Sequence, residues 1–265
     1  MKRTTSGRTI AASLAFAAAA ACLMSVRASA QWMKHPDPKT PRTAEGKPNM
    51  TAPAPRKPDG RIDLNGLWNA VDGRFLTNIG RRAGIEVPFT PWGAAQFKER
   101  QDNDGRDRPA GRCLPHTIPD AMLVPNYPWK FIDAPGVSII LFENFTQYRQ
   151  IFTDGRAFPT ERNPTWFGYS IGKWDGDVFV VETVGFNDKS WLDDGGHPRS
   201  EQMRTTERFR RKDFGHLEIE FTFADPKAYT KPWSVTIPFE LIPDSDIIEN
   251  VCENEKDVEH IFLKK

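Results

Sequence analysis

Residues 167–186 read FGYSIGKWDGDVFVVETVGF. Two apolar stretches, Phe167–Trp174 and Val178–Phe186, flank the polar triplet Asp175-Gly176-Asp177. β-Branched and aromatic runs of this length around a tight Gly-containing turn predict a β-hairpin. The same rhythm continues outward in both directions. Val137–Glu143 and Gln147–Thr153 form one predicted hairpin, and Asp154-Gly155-Arg156 closes it off. Gln202–Arg211 and His216–Ala224 form another around Lys212-Asp213-Phe214-Gly215. In Ser234–Ile242, Val235, Ile237, Phe239 and Leu241 alternate on one face. The expectation is a mainly β fold: an antiparallel, up-and-down, lipocalin-like β-barrel or a strongly curled sheet with one or two short helices. Thr90-Pro91-Trp92 begins one such helix with an N-cap and a proline at the first helical position, running to about Asn103. Glu253–Phe262 is the other candidate. Residues 108–136 are proline-punctuated and read as irregular or edge structure.

The N-terminus predicts export. Lys2, Arg3 and Arg8 precede an Ala- and Leu-rich run from Ile10 to Met24, and Ala28-Ser29-Ala30 fits a small-x-small cleavage site. Residues 1–30 are therefore a predicted signal peptide, residues 31–60 a disordered Pro-rich tether, and residues 61–265 a single barrel domain. The apolar run is too short and too Ala-rich for a transmembrane segment. The expected location is periplasmic or secreted; the alternative is a lipoprotein anchored at Cys22.

Charge excludes a class. The chain carries 36 basic and 35 acidic residues, and this near balance lacks the basic footprint of a nucleic-acid binder. Beyond the leader only Cys113 and Cys252 remain. Two cysteines in an oxidising compartment predict a bridge, the alternative being two buried thiols. No Gly-rich loop joins a strand to a helix, no histidines stand at metal-ligand spacing, and Gly-x-Ser-x-Gly is absent. Neither a cofactor nor a metal is expected.

Period-two counting places three glutamates on apolar faces. Glu143 follows Val137, Ile139 and Leu141; Glu182 shares a face with Val178, Val180 and Val184; Glu207 shares one with Met203, Thr205 and Phe209. Such carboxylates are either structural partners of Arg149, Arg204 or Arg208, or groups with raised pKa that bind ligand or move protons. The long connection 185–201 gathers Asn187, Asp188, Trp191, Asp193 and His197. His197 is the natural acid–base candidate, with Asp193 or Asp188 to orient it and Trp191 as a stacking wall. The competing reading is a lid whose polar residues cap turns, as Asp193-Asp194-Gly195-Gly196 suggests. Trp166, Tyr169 and Trp233 stand beside prolines at strand entrances and suit a pocket mouth for an apolar or aromatic molecule. The candidate set is thus His197, Glu182, Glu207 and Asp193 for chemistry, with Glu143, Arg149, Trp166, Tyr169, Asn187, Trp191, Arg204 and Trp233 for ligand contact.

Two resemblances follow from motifs. Pro58-Asp59-Gly60 through Trp68, Thr90-Pro91-Trp92, Tyr148–Arg156, Gly172–Asp177, Gly185–Asp188 and Asp225–Tyr229 resemble a large group of secreted, β-rich bacterial proteins. That group has no established activity, so the resemblance carries over no catalytic residues. Gly66-Leu67-Trp68 is similar to the opening strand of lipocalins, where a Gly-x-Trp motif plugs the closed end. The functional expectation is an exported barrel for a small apolar or aromatic molecule, acting as a cofactor-independent lyase, isomerase or hydrolase through Glu and His. The alternative is a non-catalytic ligand-binding or envelope-associated protein. Convergence of His197 with one of the three glutamates on a shared cavity separates the two.

Overall fold

A computed structural model describes residues 36–161 and 163–252. The proposed leader, Cys22 and the candidate helix at 253–262 lie outside these residues. Nine strands close a barrel: β1 (Gly66–Ala70), β2 (Trp129–Ala134), β3 (Val137–Phe142), β4 (Gln147–Phe152), β5 (Tyr169–Asp175), β6 (Val178–Val184), β7 (Arg204–Arg211), β8 (His216–Ala224) and β9 (Trp233–Leu241). Each strand pairs with its neighbour in sequence, and β9 returns to β1. The expected barrel is present, with one departure from up-and-down order. β4 and β5 are parallel, through Ile151–Ser170 and Phe152–Ile171. A closed ring of alternating strands needs an even number, so nine strands require a parallel seam. The segment 153–168 supplies it by carrying the chain from one end of the barrel to the other.

β2 corrects the reading of 108–136 as irregular. Pro128 and Pro135 bound this strand instead of interrupting it. Pro135-Gly136 then forms the two-residue turn to β3, with Gly136 at φ 78, the left-handed position that favours glycine after proline. The predicted Thr90 helix is also present. Of four short helices, α1 (Arg74–Thr77), α2 (Ile79–Ala83), α3 (Pro91–Asp102) and α4 (Asp120–Leu123), α3 is the longest. Thr90 Oγ1 accepts from the Gly93 amide at 3.0 Å, the capping bond that its position foretells.

The bore is packed with side chains. Alternate residues of β2, β3, β6, β8 and β9 are buried, including Trp129, Phe131, Ile140, Phe179, Val181, Ile219, Phe221, Ile237 and Phe239. Phe131 meets Phe179 edge-on at 5.9 Å, and Trp129 meets Phe239 at 5.4 Å. A pocket in the middle of the barrel, the expectation for a lipocalin-like fold, is replaced by these rings.

One end is closed by Trp68. Its indole Nε1 donates to Leu64 O at 3.1 Å, and the Arg211 guanidinium lies over its ring at 4.9 Å. Arg211 donates to the carbonyls of Asp63, Asp213 and Phe214, so the cation neutralises carbonyls that would otherwise face an apolar core. Over this end lies the stretch read as a disordered tether. Residues 36–60 are instead folded onto the barrel. Phe214 and Gly215 amides donate to Ala52 O and Met50 O at 2.8 and 2.7 Å. Arg42 pairs with Asp244, Arg56 with Asp177 and Lys57 with Asp133. The prolines shape two turns, closed by the bridges Arg42–Pro48 and Arg56–Ile62. A proline-rich segment lacks helix and ladder bonds, but it can dock in extended form when neighbours supply partners.

Candidate functional site

The opposite, wide end is covered by the chain from 71 to 128, the β6–β7 connection and the β8–β9 connection. The β6–β7 connection, expected as a lid, is a plug: Phe186, Asn187, Ser190–Asp193 and Gly195–Ser200 are buried, while Asp188 and Lys189 are exposed. Asp193 explains its course. One carboxylate oxygen accepts from the Ile79 amide at 2.7 Å, at the start of α2, and the other from the His197 amide at 3.1 Å. His197 Nδ1 lies 2.7 Å from Asp193 Oδ2. With the carboxylate accepting, the neutral ring carries its hydrogen on Nδ1 and leaves Nε2 as the acceptor. The ring packs against Phe89, Phe97 and Trp233, with centroids 5.6, 4.6 and 5.8 Å away. Of the two residues anticipated to orient His197, Asp193 is within hydrogen-bond distance of its ring, and Asp188 is exposed.

A second dyad was not singled out by sequence. His116 Nδ1 lies 2.8 Å from Asp120 Oδ2, both residues are buried, and the imidazole lies tilted against the Phe145 ring with centroids 4.9 Å apart. It sits in the proline-rich stretch where no periodicity marks burial. Nearby, Arg199 is 1 % exposed. Its Nη1 donates to Thr117 Oγ1 at 3.0 Å, and its Nη2 to Trp166 O at 3.1 Å and Asn187 Oδ1 at 3.4 Å. The guanidinium lies 4.7 Å over the Phe186 ring. Ser190 Oγ donates to the same Thr117 hydroxyl at 3.1 Å. Burial pulls the Arg199 pKa down to about 9, against the fields of Asp120, Asp188 and Asp225, so the group remains a cation at neutral pH. Asp194, 2.7 Å from Arg108, is pushed up to about 7 by burial, and the fields of Asp120, His116 and Asp193 all reach it.

The strand glutamates have other partners. Glu207 is fully buried inside the barrel and bidentate with Arg149, both bonds 2.7 Å. Thr183 and Ser170 hydroxyls accept two further Arg149 donors. This is the structural Glu–Arg pair weighed above, and it corrects the catalytic assignment of Glu207. Glu182 lies outside the barrel, 37 % exposed at its side chain, with Arg204 at 2.9 Å and Lys173 at 4.0 Å. Alternation gave its face correctly, but that face is the outer one, which removes the assignments of Glu182 and Arg204 to a buried site. Glu143 ends β3, and its carboxylate accepts from the Ile248 amide at 3.2 Å; burial raises its pKa. Among the described residues, no hydrogen bond or ion pair joins His197 to Glu143, Glu182 or Glu207, the convergence expected of an enzyme; His197 pairs with Asp193.

The aromatic candidates divide as well. Trp233 reaches His197, and Trp166 offers its carbonyl to Arg199. Trp191 is buried under Arg100 at 4.7 Å and edges a surface hollow of about 170 Å³ with Gln96, Asn103 and Arg106. Tyr169 packs on Phe152 and edges another of about 190 Å³ with Asn163 and Thr165. Cys113 and Cys252 are bonded, with Cα atoms 5.6 Å apart. Among the described residues no helix is long and apolar enough to cross a membrane, and no three His, Cys, Asp or Glu side chains gather as a metal-binding group. No family model, no curated protein and no solved structure matches the chain.

Proposed function

We propose that this chain is an exported β-barrel that binds a small molecule at its wide end without transforming it. The observation that carries this reading is a set of unsatisfied buried polar atoms on the segments at this end. Arg108 Nε, Asp120 Oδ1, Asp194 Oδ1, Arg199 Nε and Trp233 Nε1 all lack a hydrogen-bond partner among the described residues. Buried polar atoms are normally paired, and a set of exceptions calls for a partner from outside the chain. The rings of Phe89, Phe97 and Trp233 beside it suit the apolar or aromatic part of such a molecule. Binding is favoured over Glu–His catalysis because Glu207 and Glu182 are engaged in ion pairs with Arg149 and Arg204. Export gains support from the Cys113–Cys252 bond.

Native mass spectrometry of the chain recovered from the exported fraction tests both parts. The expected species begins at Gln31 and carries a small molecule that is released on unfolding. A chain recovered without any bound molecule, and unshifted in melting temperature by a small-molecule library, overturns the binding reading. A lipid-modified start at Cys22 moves the protein to a membrane surface.

One observation favours acid–base chemistry as a second reading. A carboxyl with a pKa of about 7, as for Asp194, is poised for proton transfer at neutral pH. Turnover of the released molecule by the purified chain, lost in Asp194→Asn with binding retained, decides for it.

A further inference from the structure

Arg199 is a buried cation whose recorded bonds all end on neutral oxygens: a hydroxyl, a backbone carbonyl and a side-chain amide. No carboxylate of the described residues lies within ion-pair distance of it. Its two buried acidic neighbours are committed elsewhere, Asp120 to His116 and Asp225 to the Ser200 amide and hydroxyl. Asp188 stands at the exposed rim of the loop. A guanidinium carries five N–H donors in a planar fork; Nε is unsatisfied, and Nη1 serves one acceptor with two hydrogens. Buried charges in proteins are ordinarily neutralised by a counter-charge, and a desolvated guanidinium matches a planar oxyanion best.

Resting on the proposed binding reading, we infer that Arg199 is the anion-recognising residue of the wide-end site and that its ligand is a small carboxylate. The unpartnered Nε–H faces the carboxylate, while Thr117, Asn187 and the Trp166 carbonyl hold the guanidinium in place. The Phe186 ring against the cation favours an aromatic acid over an aliphatic one. Asp188 and Lys189, next in the chain to Asn187 and Ser190, are the exposed residues of this connection nearest in sequence to the site. A buried arginine serving only as structural glue would bridge Thr117, Trp166 and Asn187 equally well, but it would gain nothing from an added anion.

The test uses benzoate, its neutral analogue benzamide, acetate and inorganic phosphate as probes on the full chain. Burial slows exchange of the Arg199 Nε–H, so its nitrogen–proton resonance is observable directly by NMR. Benzoate is expected to shift that resonance saturably and to raise the melting temperature with concentration. Acetate is expected to do so more weakly, and benzamide to leave the Nε signal in place. Arg199→Lys is expected to weaken benzoate at least tenfold while changing benzamide less than twofold. An Nε resonance unmoved by either carboxylate overturns the inference, and this holds in the unsubstituted protein even where Arg199→Lys fails to fold. Phosphate acting as strongly as benzoate overturns the carboxylate class. Benzamide binding as tightly as benzoate overturns the role of Arg199 while leaving small-molecule binding intact; the mass-spectrometric experiment judges binding itself independently.

Discussion

Two glutamates of similar sequence context have opposite fates. Glu182 and Glu207 each stand among β-branched and aromatic residues, yet the first lies on the outer wall and the second inside the barrel. Glu207→Gln leaves Arg149 buried without its counter-charge and is expected to cost ~3–5 kcal/mol. Glu182→Gln breaks an exposed pair and is expected to change stability by less than about 1 kcal/mol. Urea denaturation of both variants checks the contrast, and equal effects would contradict it. Asp194 yields a pH prediction. Its carboxyl holds a proton up to about 7 in the folded chain against 3.8 ordinarily. Between these values the folded state binds more protons than the unfolded one, so this group's contribution to stability is full below the lower value and is lost as pH rises through about 7. The wild-type chain is therefore expected to lose on the order of 1–3 kcal/mol more than Asp194→Asn between pH 5 and 8. Parallel curves for the two proteins would show that Asp194 ionises normally.

At the scale of elements, the connection between β6 and β7 is better described as core than as loop. Asp193 ties its middle to α2, Arg199 ties its end to Thr117 and Trp166, and Ser200 binds Asp225 of the β8–β9 connection. The C-terminal stretch after β9 is held differently. It runs without regular structure past Lys130 and Glu143 and ends in the bond from Cys252 to Cys113. That bond joins residues 139 apart in sequence. In the chain-entropy model it stabilises by roughly 4–5 kcal/mol. Cys113→Ser with Cys252→Ser is expected to melt well below the oxidised wild type and to match the wild type under reductant. A double variant that melts with the oxidised chain would mean that the packing of the strap suffices by itself.

For the molecule as a whole, the barrel depends on a segment outside its strands. Residues 36–60 supply carbonyls to the β7–β8 turn and charged partners to the turns at Asp133 and Asp177 and to Asp244. Deleting them exposes the Trp68–Arg211 end, and a lower melting temperature with faster hydrogen exchange at residues 212–215 is expected. An unchanged melt would return the segment to the status of a tether.

The sequence by itself determined the strands from β3 to β9, the capped helix α3 and the side of each strand that is apolar. These are local matters: period-two alternation, turn residues and a helix cap act over a few residues. It also brought Asp193 and His197 together as a candidate pair, because they lie four positions apart in one turn-rich loop. Only the tertiary structure decided which apolar face turns inward, so Glu207 and Glu182 could not be told apart along the chain. It alone showed the His116–Asp120 dyad, since prolines hide burial from any periodic pattern, and it alone isolated Arg199. The charge environment of that arginine is set by residues 82 positions before it at Thr117 and 33 before it at Trp166. Whether a buried cation finds a carboxylate or only neutral oxygens depends on how distant segments meet when the barrel closes, and no local rule reports it.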